Sequence, residues 1–273
     1  MEVFKEIPEL QVFLKEKRNR NLKIGLVPTM GALHEGHFEL IKQCKKESDI
    51  TVCSIFVNPI QFNNSEDFLK YPRDFKKDIE LLNNYGCDIV FIPEDNSMYL
   101  KDRVVNLGFG YLERLMEGKY RPGHFKGVGL VVLKLLNIIQ PDLAYFGKKD
   151  LQQYVIIKRL VKELNLDTKI IGVETIRNKR GLALSSRNER LSEKEKDEAL
   201  IFYHSLNNAK EELLQGLDME KIKNSVESSF KNSGSAQLEY FEIVHSDTLR
   251  PIKNNTKKSH AGLGCSLRAG KID

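Results

Sequence analysis

An apolar run, Ile24 to Val27, stops at Pro28, and a loop holding Gly31 and Gly36 follows before a helix-like stretch that His37 opens and that runs to about Lys46. The run has the make-up of a buried strand, and proline and glycine break regular structure after it. A strand, a glycine-containing loop and a helix N-terminus together make an anion site, because unpaired N–H groups and the helix dipole point at the bound group. The loop is not the G-x-G-x-x-G of dinucleotide binders, and the chain has no G-x-x-x-x-G-K-[ST]. It carries instead His34-Glu35-Gly36-His37, two imidazoles three residues apart around a glycine that admits a flat ring or a phosphate to the backbone.

The same alternation continues along the chain. Residues 8 to 20 have helical spacing (Leu10, Phe13, Leu14), and Ile50 to Val57 is a β-branched run ended by Asn58-Pro59. A polar loop from Gln61 to Tyr71 leads to a helix from about Asp74 to Tyr85, closed by Gly86, and Asp88 to Ile92 is the next strand. Val128 to Ile139 reads as a buried helix and Leu143 to Phe146 as a strand, followed by a helix to Leu164 and a strand from Lys169 to Val173. Strands alternating with helices predict an α/β fold, a doubly wound parallel sheet of Rossmann-like type, with ligands beyond the carboxyl ends of the strands. His34/His37, Asn58 to Gln61 and Gly147 to Gln153 all fall at such ends. Beyond residue 175 the character changes to amphipathic helices, Ser192 to Gln215 and Met219 to Phe230, and a strand, Leu238 to Val244. We therefore expect two units, residues 1–175 and a smaller α+β domain over 176–273 closing over the site.

Composition sets limits. With 273 residues, 41% hydrophobic and 30% charged, the chain can bury a sizeable core. The formal charge of +5 is spread thinly, which argues against a nucleic-acid groove while a few lysines suffice for a polyanion. Cys44, Cys53, Cys87 and Cys265 have neither C-x-x-C pairing nor metal spacing, so reduced thiols are expected. No signal peptide and no run of membrane-span length are present, and cytoplasm is the expected location.

The H-x-G-H loop resembles the signature of the nucleotidylyltransferase superfamily, whose members make or use adenylates. Six blocks in order extend the likeness: P-T-M-G-A-L-H-E-G-H (28–37), S-I-F-V-N-P-I-Q-F (54–62), Y-P-R-D (71–74), R-P-G-H-F-K-G-V (121–128), F-G-K-K-D-L-Q-Q (146–153) and L-S-S-R-N (184–188). Together they closely resemble the pantoate–β-alanine ligase family. The resemblance implies that pantoate and MgATP give pantoyl adenylate and pyrophosphate, that β-alanine then yields pantothenate and AMP, and that the enzyme is a homodimer. It places ATP on Met30, Gly31, Ala32, Leu33, His34, Glu35, Gly36 and His37, with both histidines at the α-phosphate and Gly36 beneath adenine. Gly147 and Asp150 hold the nucleoside in this scheme, Asp150 accepting from ribose hydroxyls, Ile176 flanks adenine, and Lys148 and Leu184 also belong to the ATP site. Lys149, Ser185, Ser186 and Arg187 neutralise the departing pyrophosphate, whose growing charge needs fixed cations and donors.

Pantoate is implied at Gln61 and Gln153, with Asn58 and Arg121 nearby and Gln61 shared by β-alanine. Neutral amides suit a carboxylate that must stay nucleophilic, since an arginine fork would hold it more strongly; their carbonyls can accept from a pantoate hydroxyl. Arg121 and His124, in a Gly/Pro-rich loop, either line the site or brace it. Asp78 is read as an exposed helix carboxylate before it is read as a magnesium partner, because Mg²⁺ is usually held by substrate phosphates and water. The Gly-rich ending, Ala261 to Gly270, departs from the family's apolar closing strand and predicts a poorly ordered or altered terminus. Two other readings share the loop. A nucleotidylyltransferase with a phosphate acceptor needs a basic acceptor site where this chain has Asn58 and Gln61, and a non-catalytic nucleotide-binding module needs neither the imidazole pair nor Lys149.

Overall fold

In a computed structural model, residues 1–102, 104–233, 236–252 and 263–269 are described, with positions 190, 232, 233 and 263–269 described by backbone alone. Six parallel strands form the main sheet: β1 (Glu2–Phe4), β2 (Ile24–Thr29), β3 (Ile50–Ile55), β4 (Ile89–Phe91), β5 (Leu143–Gly147) and β6 (Lys169–Val173). Their order is β1-β4-β3-β2-β5-β6. The chain thus winds one way from β2 through β3 and β4 and the other way from β5 to β6, which opens a crevice where β2 and β5 run side by side. The helices are α1 (Ile7–Asn19), α2 (Glu35–Glu47), α3 (Ser65–Leu69), α4 (Phe75–Asn84), α5 (Asp95–Met98), α6 (Met116–Tyr120), α7 (His124–Ile139), α8 (Leu151–Glu163), α9 (Glu193–Glu198), α10 (Leu200–Leu214) and α11 (Met219–Ser233).

Alternation along β2 separates two cores. Ile24 and Leu26 face one side, packing with Leu10 and Leu14 of α1, Leu135 and Ile139 of α7 and Ile157 of α8. Val27 faces the other, with Phe38, Ile41 and Cys44 of α2 and Leu82 of α4. A sheet buried on both faces needs the continuous apolar runs that the sequence carries at β2 and β3. Gly25 lets α2 come close, because a Cβ there would meet the side chains of Cys44 and Ser48. No helix among the described residues is long and apolar enough to cross a membrane.

Several boundaries differ from the sequence reading. The helix after the H-x-G-H loop begins at Glu35 rather than His37, since His34 supplies the cap. The polar stretch 61–71 contains α3, started by Asn64, whose side chain accepts from the Glu66 N–H. The single helix expected over 192–215 is two, α9 and α10, joined at Ala199. The edge strand β1 is too short to show a pattern in sequence. The Gly-rich ending is also corrected in part: β8 (Leu263–Ala269) pairs antiparallel with β7 (Leu238–His245), so its backbone bonds are met despite the glycines. Residues 253–262 and 270–273 lie outside those described.

One close approach shapes the site. The segment Pro59–Gln61, a 3₁₀ turn after β3, lies against α7 at Gly127, where a Cβ would sit 2.7 Å from the Gln61 nitrogen and the Ile60 carbonyl. Backbone cannot yield as a flexible side-chain tip can. Gly127→Ala should therefore lose about 1–3 kcal/mol through overpacking, offset by up to about 1 kcal/mol of helix propensity. Urea unfolding checks this, and an unchanged midpoint would show that the turn has room to shift.

Candidate active site

The loop after β2 is held in an unusual shape. Thr29 Oγ1 donates to the Ser54 carbonyl (2.7 Å) and accepts from the Gly31 N–H (3.2 Å). Gly31 and Ala32 then take φ of +78° and +50°. For alanine this left-handed backbone is costly and needs outside support. Asp78 on α4 supplies it: its carboxylate accepts the Ala32 N–H and the Leu33 N–H, both at 2.9 Å. Asp78 is 2% exposed, which corrects its reading as an exposed helix carboxylate, and both oxygens are engaged by the loop. Burial pushes its pKa up, and the two backbone donors pull it back.

The two histidines form a reciprocal cap on α2. His34 Nδ1 accepts the Gly36 N–H (3.1 Å), and His37 Nδ1 accepts the His34 N–H (3.3 Å). Their ring centroids lie 4.1 Å apart. An Nδ1 that accepts carries no proton, so each neutral ring bears its hydrogen on Nε2, and both residues line the cavity described below. Burial, then the neighbouring His34 and the Lys149 charge, pushes the His37 pKa down to about 3. His34 is lowered as well, by burial and Lys149, with Glu189 and Glu35 acting the other way. Gly36 is required by this arrangement, because a Cβ would stand 2.9 Å from the His34 ring.

A cavity at the carboxyl ends of β2, β5 and β6 gathers Met30, His34, Gly36, His37, Gln61, Gly147, Lys149, Asp150, Gln153, Ile176 and Leu184 in its lining. Gly147 ends β5, Lys149 and Asp150 lie in the 3₁₀ turn Lys148–Asp150, and Gln153 stands half-buried in the first turn of α8. Ile176 and Leu184 are brought together by a hairpin-like turn, the Leu184 N–H donating to the Ile176 carbonyl (3.0 Å). The cavity also takes in Tyr71, Glu174 and Thr175, which sequence reasoning missed. A tyrosine inside a polar stretch was the available sign for Tyr71.

Other expected residues lie around the cavity, outside its lining. Gly31, Ala32 and Leu33 form the loop wall held by Asp78. Glu35 is exposed and accepts from the Tyr85 hydroxyl (3.2 Å). Lys148 pairs with Glu174. Ser185 caps the 3₁₀ turn Ser186–Arg190, Ser186 Oγ is 3.2 Å from the Tyr71 hydroxyl, and Arg187 pairs with Asp67 at 3.0 Å. Arg121 ends α6 and is not brought into the lining; its charge and burial together push the His124 pKa down to about 4, burial contributing most. His124 braces rather than lines: its Nδ1 is 2.8 Å from the Gln61 carbonyl, which can only accept, so the ring donates. Asn58, 1% exposed, also stands behind the wall, donating to Gln61 Oε1 (3.0 Å) and the Gly127 carbonyl (3.1 Å). Gln61 Nε2 points to Met30 Sδ (3.0 Å). This corrects the expectation for Gln61: its carbonyl faces the protein, and the NH₂ is the end presented to the cavity.

A depressed histidine pKa has a definite consequence. Unfolded, His37 and His124 bind a proton as pH falls through about 6.5; folded, they stay neutral down to about 3 and about 4. The unfolded chain then holds more protons, so stability is full above about pH 6.5 and falls as pH drops. His124 alone should contribute a slope approaching about 1.4 kcal/mol per pH unit near pH 5. Proton NMR should show neither imidazole titrating between about pH 8 and 5.5; a His37 midpoint near 6.5, the ordinary value, would mean that its ring is open to water.

The pantoate-beta-alanine ligase family matches residues 2–272 of the chain. A pantothenate synthetase of Clostridioides difficile (strain 630) is 50% identical over 250 residues, 91% of this chain and 89% of that protein. Among solved structures, a pantothenate synthetase from Thermus thermophilus is 36% identical with a TM-score of 0.91, over 99% of this chain and 95% of the other. A pantoate-beta-alanine ligase from Francisella tularensis, complexed with beta-gamma ATP and beta-alanine, is 38% identical with a TM-score of 0.74, over 89% of each chain. This chain belongs to the pantoate–β-alanine ligase family.

Proposed function

We propose that the cavity between the ends of β2 and β5 carries out the family's ligation in two steps at one place. A pantoate carboxylate oxygen attacks the α-phosphorus of ATP, forming a P–O bond as the bond to pyrophosphate breaks. The amine of β-alanine then attacks the acyl carbon, losing a proton as the C–O bond to AMP breaks, and pantothenate is released. The observation that carries this reading is the pair of imidazoles in the cavity lining, each with Nδ1 engaged by a backbone N–H, which leaves Nε2 as the donor of the neutral ring. Fixed donors aimed at charge that develops in the transition state accelerate the step without needing to transfer a proton. The Francisella relative, complexed with beta-gamma ATP and beta-alanine, supports both as substrates here.

The remaining roles belong to the same proposal. Ile176 and Leu184 sandwich or flank the adenine, Gly147 and Lys148 border the nucleoside, and Asp150 accepts from ribose hydroxyls. Lys149 meets the β- and γ-phosphates, joined by Ser185, Ser186 and Arg187 once Tyr71 and Asp67 release the last two. Gln61 and Gln153 hold pantoate, while Asn58 acts through Gln61 and Arg121 through His124. Magnesium, which offsets triphosphate charge, finds no group of three His, Cys, Asp or Glu side chains among the described residues. Asp78, the carboxylate beside the loop, is already committed to two N–H donors. The ion is thus assigned to phosphates and water, and no step is routed through it. We place the enzyme in the cytoplasm, consistent with the buried, unpaired Cys44, Cys53 and Cys87, as a homodimer that sedimentation would reveal.

Isotope exchange tests the sequence of steps. ATP–pyrophosphate exchange should require pantoate and proceed without β-alanine; exchange that needs β-alanine, or none with pantoate, would overturn the stepwise adenylate. His37→Ala should cut the adenylation rate about a hundredfold or more, roughly 3–4 kcal/mol of barrier. ATP binding should change far less, because the contact tightens in the transition state. Full activity in that variant would reduce His37 to a helix cap.

A further inference from the structure

Gln61 is one end of a buried chain of amides and hydroxyls that begins outside the cavity. The Tyr99 hydroxyl, just beyond α5, donates to Asn58 Oδ1 at 2.8 Å, and the Ile60 N–H reaches the same oxygen at 3.4 Å. The Ile60 N–H can only donate and the Gly127 carbonyl can only accept, so the Asn58 amide keeps its oxygen toward Tyr99 and its NH₂ toward Gln61, and the Tyr99 hydroxyl supplies the shorter of the two bonds to that oxygen. Gln61 must in turn answer with Oε1, which leaves its NH₂ beside Met30 at the cavity wall. The backbone of Gln61 is held separately, by His124 at its carbonyl and by the Asn58 carbonyl, which accepts its N–H at 3.4 Å. An amide without such a chain can rotate by half a turn and present either end at little cost.

We infer that Tyr99 is a positioning residue for substrate selection: through Asn58 it locks Gln61 as a hydrogen-bond donor, so that this wall accepts a carboxylate and rejects a group that donates. The inference rests on the assignment of Gln61 to pantoate above. A flipped Gln61 would set its carbonyl oxygen against the carboxylate, and like partial charges would face each other. Tyr99 itself does not line the cavity, and its ring is kept in place independently by Phe56, 6.1 Å between centroids, and by the Lys134 ammonium, 5.8 Å away. Removing its hydroxyl therefore leaves the packing while it removes the donor.

The test is a double-mutant cycle read in pantoate-dependent ATP–pyrophosphate exchange. Tyr99→Phe should raise the pantoate KM about three- to tenfold, the reach of one hydrogen bond, with the ATP KM and the urea midpoint unchanged. In a Gln61→Ala background the same change should add nothing, because there is no amide left to orient. Asn58→Asp, which keeps the acceptor for Tyr99 but removes the donor to Gln61, should raise the pantoate KM in the same way and serves if Tyr99→Phe folds poorly. An unchanged pantoate KM in a folded Tyr99→Phe, or an effect that persists in the Gln61→Ala background, would overturn the relay alone. An unchanged pantoate KM in Gln61→Ala would overturn the assignment of Gln61 and the relay with it.

Discussion

The carboxylate of Asp78 against the N–H groups of Ala32 and Leu33 is the contact on which the site depends. A chain leaving a central strand continues outward unless something turns it, and here the turn passes through two residues with positive φ, one of them not glycine. A charge-assisted pair of backbone bonds in a low-dielectric interior can hold that strain, where a water-exposed pair would be screened. From that turn the histidine cap, the start of α2 and the floor of the cavity all take their positions. Asp78 stands on α4, two helices and a strand away in sequence, so the H-x-G-H loop is fixed by a distant part of the fold.

Much of the layout was legible because it rests on local rules. The runs at Ile24 and Ile50 read as strands since both faces are buried, and the strand ends pointed to His34, His37, Lys149 and Gln153, which the cavity brings together. What escaped was set by contacts far apart in sequence. Asp78 shares the buried face of α4 with Leu82, four residues on, and that spacing was a usable sign. Nothing local marks its partners as the loop N–H groups 45 and 46 residues earlier. Tyr99 is similar: it is an ordinary polar residue until the fold places its hydroxyl 2.8 Å from Asn58. The polarity of Gln61 was hidden for the same reason, because an amide's direction belongs to its neighbours. The strand at 263–269 shows the opposite error, since glycine's weak strand propensity gave way to pairing along β7.

The neutral histidines unite structure and chemistry in the same atoms. The Nδ1 acceptors that start α2 are what leave the hydrogens on Nε2, so the helix cap and the proposed phosphate donors cannot be varied separately. The nearby Lys149 charge adds to burial in keeping both rings unprotonated. A protonated imidazole would lose its Nδ1 acceptor, and with it the cap. Protonation would thus disturb the loop before it could help to bind an anion.

The adjacency of β2 and β5 has a further consequence, for how the molecule is made. The two strands are joined in register at Gly25–Leu143 and Leu26–Ala144, and the Asp142 carboxylate accepts from the Ile24 N–H at 2.6 Å. More than a hundred residues separate these partners along the chain. Closing so long a loop must precede the reward from the pairing, and parallel pairing of this kind slows folding. During synthesis, β2 therefore emerges with one side unpaired and waits for β5. The H-x-G-H loop can turn early, once α4 and Asp78 have formed, but the crevice that gives it a substrate is among the late products of folding. An amino-terminal fragment ending before residue 143 would carry both histidines and no site.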